Sequence, residues 1–159
     1  MPTPGKPIPD GYLAVTPYLT IRGASAAIAF YKKAFGAEEK VRMPGPDGNS
    51  VMHGEIAIGG SMIMLSDEFP ERGVMSPTHY GGPTSSLMLY VPDADAVFRQ
   101  AVAAGATALM PVTDMFWGDR MGQVLDPFGH KWSIATHTLD LTADEMQKAA
   151  AAAMASGGI

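Results

Sequence analysis

Apolar residues in this chain switch between alternation and helical spacing, and they do so twice in the same order. "LAVTPYLTI", Leu13 to Ile21, has strand character. After Gly23, Ile28, Tyr31 and Phe35 recur at helical spacing until Gly36 supplies a stop. "EEKVRMP" predicts a strand, "GPDGNS" a turn, and "VMHGEIAI" and "SMIML" two further strands divided by Gly59-Gly60. Ser66 to Thr84 lacks periodicity and is rich in Pro and Gly, so a connector or a mobile flap is expected there. Then the pattern restarts. "SSLMLYV" predicts a strand, "DADAVFRQAVAAGA" a helix capped by Asp93 and stopped by Gly105, and "TALMPV" a strand. "GDRMGQVLD" and "HKWSIATH" form a hairpin around Asp126-Pro127-Phe128-Gly129, read as turn chemistry.

The two halves overlay at an offset of about seventy residues, with "YLTI" on "MLYV", "AFGA" on "AAGA" and Gly60 on Gly129. The predicted class is therefore α+β, with two tandem βαβββ units and a C-terminal helix. The boundaries are a Pro-rich segment at 1–11, a first unit at 12–68, a connector at 69–84, a second unit at 85–138 and a tail at 139–159. Thr142 to Glu145 reads as a capping box, with Leu141 and Met146 as a hydrophobic staple, launching a helix to about Ala155. Its stripe of Met146, Ala150 and Met154 suits a sheet edge or the partner in a homodimer.

Composition narrows the function classes. A chain of 159 residues, 47% apolar and 17% charged, has the means for a packed interior. Its formal charge of −5 and the lack of a Lys/Arg cluster argue against a nucleic-acid partner. No apolar run reaches the roughly 18 residues of a membrane span, and "MPTPGKPIPDG" lacks the marks of a secretory signal, so a cytoplasmic protein with no membrane partner is expected. There is no cysteine, so any metal must rest on His, Asp or Glu. Phosphate-loop, nucleophile-elbow and zinc-helix motifs are also missing from the sequence.

"VTPYL" (Val15 to Leu19), "AIAFYKKAFGA" (Ala27 to Ala37), "VMHGEIAIG" (Val51 to Gly59), "MLSDE" (Met64 to Glu68) and "WGDRMGQVLDPFGHKWSIATH" (Trp117 to His137) carry a resemblance. They resemble the vicinal oxygen chelate superfamily of glyoxalase I, bleomycin and fosfomycin resistance proteins and extradiol dioxygenases, and within it the PhnB-like branch. The resemblance covers about Tyr12 to His137. It implies that the two units form a curved, mostly antiparallel sheet around a concavity. It further implies a divalent metal held by the first and fourth strands of each unit, usually through His or Gln with Glu. In this chain the first-strand positions fall on Thr16 and Ser86, and the fourth-strand positions on Met64 and Ser133. Hydroxyls are weak donors and thioethers prefer soft copper. The expectation is no metal and no cofactor, with a divalent ion displaced to His53 and Glu55 as the alternative.

His53 and Glu55, two apart on a strand, share the face opposite Ile56 and Ile58, either as ligand contacts or as a structural pair. Leu19, Leu87 and Leu89 suit the helix side, which leaves Thr16, Tyr18, Ser86, Met88 and Tyr90 for the concavity. Such a lining fits a small organic ligand, or else simply fills the barrel. Asp119 and Arg120 must face opposite ways; Arg120 is the stronger candidate anchor for an anionic group, with an ion pair bracing the hairpin as the alternative. Trp117 and Ser133 complete the candidates. Three functions remain: a metal-free protein that binds a small organic molecule, a lyase, isomerase or dioxygenase with a displaced metal, and a metal-free acid–base enzyme using Glu55 or His53.

Overall fold

The computed structural model describes residues 5–157. The first unit comprises β1 (Tyr18–Ile21), α1 (Ala24–Phe35), β2 (Glu38–Pro44), β3 (Val51–Ile58) and β4 (Ser61–Asp67). The second comprises β5 (Ser86–Tyr90), α2 (Ala94–Ala104), β6 (Thr107–Asp114), β7 (Asp119–Leu125) and β8 (Lys131–His137), followed by α3 (Ala143–Ala155). Each unit makes its own four-stranded sheet, ordered β1-β4-β3-β2 and β5-β8-β7-β6. The first strand runs parallel to the fourth and the other pairs are antiparallel. The predicted βαβββ repeat is therefore the architecture, but the sheets remain open and do not close into one.

The fourth strand of each unit also caps that unit's helix. Gly23 precedes α1 and has no side chain to offer, so Asp67 at the end of β4 accepts from the Gly23 and Ala24 amides at 2.9 Å each. In the second unit Asp93 caps α2 through the Ala96 amide, and Thr136 of β8 accepts from Ala94, both at 2.9 Å. These bonds satisfy orphan donors at the helix start, each cap contributing about 1 kcal/mol.

Alternation puts Leu19, Ile21, Ile56, Ile58, Ile63 and Leu65 under α1, where all are buried. The helices pack on one another, and the two units share one core. At its centre Trp132 of β8 lies 4.7 Å from Phe35 and 5.5 Å from Tyr31 of α1, ring centroid to centroid. Asp126, only 2% exposed, accepts from the Tyr31 hydroxyl at 2.7 Å and from the Trp132 indole at 3.0 Å through one oxygen. Its other oxygen takes the Phe128 and His130 amides at 2.9 Å each. A residue predicted as turn chemistry thus also welds the units together.

Three local expectations change. The strand expected from Leu13 shrinks to β1, because Pro17 has no N–H to offer a ladder and Thr16 turns its hydroxyl back onto the Leu13 carbonyl. The connector is pinned rather than free: it forms 3₁₀ turns at Pro70–Arg72 and Pro77–Tyr80, and its fully buried Ser76 donates backbone and hydroxyl to Glu68. In α3 the capping box forms as predicted, but Met154 is 68% exposed, and the partly covered face is Met146, Ala149, Ala150 and Ala153. The tail is held at Gly118, whose carbonyl accepts from the Thr138 and Leu139 amides and the Thr138 hydroxyl. A β-carbon at Gly118 would stand 2.3 Å from the Leu139 oxygen, and its φ of +96° favours glycine independently. Among the described residues, no helix is long and apolar enough to cross a membrane.

Candidate binding site

A cavity of about 470 Å³ opens where the two units adjoin. Thr16, Ser86, Met88 and Tyr90 line it together with Leu13, Val15, Met62 and Trp132; Leu87 and Leu89, expected on the helix side, line it too, and Tyr18, expected with the first four, does not. The lining is apolar with a few hydroxyls, the composition that holds a small organic molecule by burial and orients it by one or two hydrogen bonds. Sequence reasoning placed Leu13 inside a strand; in the structure it is an exposed rim residue, 75% accessible.

On the first sheet's open face, Tyr18, Met64, Glu55 and Val41 stand in one row across the four strands. Beside them His53 is fixed at both ring nitrogens. Its Nδ1 lies 3.0 Å from the Tyr18 hydroxyl and its Nε2 3.0 Å from Glu55 Oε1. The Tyr12 hydroxyl is buried against the same carboxylate but falls short of full hydrogen-bond geometry. It is the buried side-chain polar atom without a partner among the described residues. Burial, then the neighbouring Glu55, pushes the Tyr12 pKa up to about 12. Tyr12 and then His53 hold the Glu55 carboxyl below the usual carboxylate range. An ionised Glu55 fixes the proton of His53 on Nε2, leaving Nδ1 to accept from Tyr18. The arrangement is a hydrogen-bonded chain from Glu55 through His53 to a phenol that is half exposed.

The second sheet repeats the row with Met88, Ser133, Gln123 and Met110. Asp119 reaches this face, 4% exposed, and accepts from the Tyr90 hydroxyl at 2.9 Å and the Trp117 indole at 3.0 Å. His137 bridges Asp119 at 2.8 Å and Asp140 at 3.0 Å, and these two carboxylates, Asp140 foremost, raise its pKa. Arg120 lies on the opposite face, its guanidinium forked onto Asp95 of α2 at 2.6 and 2.9 Å and reaching Asp114 at 3.0 Å. The expectation of Arg120 in the concavity is thus corrected to the bracing alternative: alternation gave the open face to Asp119. Trp117 faces a separate groove beneath α3, and Ser133 accepts from Gln123 at 3.2 Å. Tyr12 and His137 were missed; only the neighbouring acids Glu55 and Asp119 could have pointed to them.

The four positions that the resemblance assigns to a divalent metal do not fit one. Thr16 spends its hydroxyl on the Leu13 carbonyl at 3.0 Å, Ser133 receives the Gln123 amide, and Met64 offers only a thioether. Among the described residues, no three of His, Cys, Asp and Glu are grouped to hold an ion.

Comparisons with known proteins agree with this architecture. The sequence matches the family model of the Glyoxalase/Bleomycin resistance protein/Dioxygenase superfamily over residues 14–134. It is 43% identical over 148 residues to an uncharacterized protein of Mycobacterium tuberculosis, covering 91% of this chain and 84% of that one. The crystal structure of a gene product from Arabidopsis thaliana superposes with a TM-score of 0.61 at 29% identity, covering 78% of this chain and 98% of that one. A PhnB protein from Bacillus cereus superposes at 0.62 and 21% identity, covering 78% and 99%, a likeness of fold.

Proposed function

Since the chain belongs to the glyoxalase/bleomycin resistance protein/dioxygenase superfamily, we propose that it binds a small organic molecule in the cavity between its units, without the superfamily's metal. One observation carries this reading. Thr16 and Ser86, the two first-strand positions of the metal site, both line that cavity and bring hydroxyls in place of imidazoles or carboxylates. Hydroxyls can orient a ligand but are weak donors for a divalent ion unsupported by imidazole or carboxylate. The protein is assigned to the cytoplasm, in keeping with a sequence that has no cysteine. It is also assigned as a homodimer, because Tyr18, Met88 and Tyr90 leave about half their surface exposed on faces the chain does not close.

Untagged protein dialysed against Ni, Zn, Fe or Mn should retain well below one ion per chain. Stoichiometric retention abolished by His53→Ala would overturn the reading in favour of a metal enzyme. Met88→Trp, which fills the cavity, should abolish the thermal shift given by whatever ligand a small-molecule screen finds. Gel filtration should give a mass near twice 16.7 kDa; a monomer at tens of micromolar would refute the dimer.

A second reading, metal-free acid–base chemistry, is favoured by the Tyr18, His53 and Glu55 relay. Glu55 orients the ring and His53 takes the Tyr18 proton, so the phenol oxygen is the atom that exchanges protons with a bound molecule. Its test is proton exchange into a bound carbon acid that is lost in both Tyr18→Phe and His53→Ala while melting stays unchanged.

A further inference from the structure

Residues 5–17 lie against the first unit without joining its sheet. Only Tyr12 and Thr16 among them are not exposed, and the apolar Leu13 and Val15 leave 75% and 87% of their surface to solvent. Among the described residues, the hydrogen bonds of 5–16 all close within the segment: Lys6 to Asp10, the Tyr12 amide to the Pro9 carbonyl at 3.2 Å and the Thr16 hydroxyl to the Leu13 carbonyl at 3.0 Å. Neither a strand ladder nor a packed apolar face holds this segment down. One side chain does: Tyr12, whose hydroxyl is buried against Glu55 of β3.

The fit at Glu55 is incomplete. Its Oε1 takes the His53 Nε2–H at 3.0 Å, its other oxygen accepts no hydrogen bond of full geometry among the described residues, and the Tyr12 hydroxyl beside it is left unsatisfied. Burying a hydroxyl without completing its bond is unfavourable, and a phenol tethered through the backbone cannot shift to complete it. A free phenol can. The same segment also forms a wall of the cavity between the units, through Leu13, Val15 and Thr16. That wall begins at the residue next to Tyr12, so it must move when Tyr12 does. We propose that Tyr12 is a latch: docked on Glu55 it holds residues 12–16 as a closed wall of the cavity, and a hydroxyl-bearing aromatic molecule that takes its place on the carboxylate releases the wall. The proposal rests on the cavity being the binding site, since it assigns that site its regulation.

The test needs no ligand of the cavity. The chain has no cysteine, so Ala14→Cys, at an exposed position outside the cavity lining, takes a single nitroxide spin label on the full chain. The probe is p-cresol, the tyrosine side chain as a free molecule. The label should be restrained in the parent protein and mobile in Tyr12→Gly, with unchanged melting. Calorimetry should find p-cresol bound about ten-fold or more tightly by Tyr12→Gly than by the parent, where it must first displace Tyr12. Toluene, which lacks the hydroxyl, should bind Tyr12→Gly several-fold more weakly, and adding Glu55→Ala should abolish p-cresol binding. Saturating p-cresol should mobilise the label in the parent. A label equally mobile with and without Tyr12, p-cresol bound equally by both proteins, or binding to the parent that leaves the label unmoved would overturn the proposal. So would a drop of several degrees in the melting of Tyr12→Gly, which would make the segment part of the core. Met88→Trp, which fills the cavity, should leave the p-cresol titration unchanged, so failure of the latch is distinguishable from failure of the cavity.

Discussion

The two open faces share a frame and differ in chemistry. The row of Tyr18, Met64, Glu55 and Val41 on the first sheet corresponds to Met88, Ser133, Gln123 and Met110 on the second. Two residues back along β3 and β7, His53 corresponds to Met121. One unit therefore carries a His–Glu pair where the other carries Met and Gln, an apolar chain and the neutral counterpart of Glu. The first face has its His–Glu pair at the middle of the sheet and no helical roof; the second keeps its charge at the end of β7 and β8, on Asp119 and His137, and lies beneath α3. The helix sides, by contrast, are matched down to the cap that the fourth strand sends to the helix. Each unit's helix side is constrained by the common core, while its open face is free to take on its own ligand chemistry.

The largest effect should come from breaking what the two units share. Asp126→Ala orphans the Tyr31 hydroxyl, the Trp132 indole and two amides at the junction. At about 1–3 kcal/mol for each buried donor left unsatisfied, the loss should exceed about 3 kcal/mol. Calorimetry should show one transition moved down by roughly ten degrees. Two separate transitions in the wild type would show the units to be independent and dissolve the comparison.

The next effect concerns the roof that only the second face has. Gly118→Ala forces a β-carbon against the Leu139 oxygen at a positive φ and should cost about 1–3 kcal/mol. Hydrogen exchange should then rise through α3 while α1 and α2 keep their protection. Uniform loss of protection would mean that the tail is part of the core.

The smallest effects are in pH dependence, and they have opposite signs on the two faces. Glu55 is depressed by Tyr12 and then by His53, so its contacts with them contribute fully above the ordinary glutamate value of 4.5 and are lost as pH falls through its lowered value. His137 is raised, so its bridge contributes fully below the ordinary histidine value of 6.5 and fades as pH rises through its raised value. Relative to wild type, Glu55→Gln should therefore cost most at neutral pH and least in acid. His137→Gln should show the reverse, costing most below about pH 6 and nothing well above the raised value. Melting curves of both variants across pH check this, and the same sign in both would refute it.

How legible all this was follows from what each feature depends on. The strands, helices, caps and repeat are local patterns, and Ile28, Tyr31 and Phe35 or the Thr142 capping box announce them within a few residues. Alternation sorted Thr16, Tyr18, Ser86, Met88 and Tyr90 together, but Leu87 and Leu89 share the cavity at the seam while Tyr18 lies outside it, because a lining between two units draws on both faces of a strand. It could say that Asp119 and Arg120 diverge, but not which one faced the helix; that depended on Asp95, in a different element. Tyr12 meeting Glu55 and His137 reaching Asp140 depend on where irregular segments lie, which no periodicity encodes. The exposure of Leu13 and Val15 followed from a single Pro17.

The bond from Tyr31 to Asp126 spans 95 residues of chain, and that separation sets a timetable for biosynthesis. While the ribosome is still making the second unit, Tyr31 and Phe35 of the first lack Trp132, Tyr31 lacks Asp126 and Phe30 lacks Phe128 to close over them. The nascent first half therefore presents an aromatic face until nearly the whole chain has emerged. Contacts this distant along the chain form late, because loop closure must come first. An Asp126 variant should accumulate as aggregates in cells before it shows a proportionate change in activity.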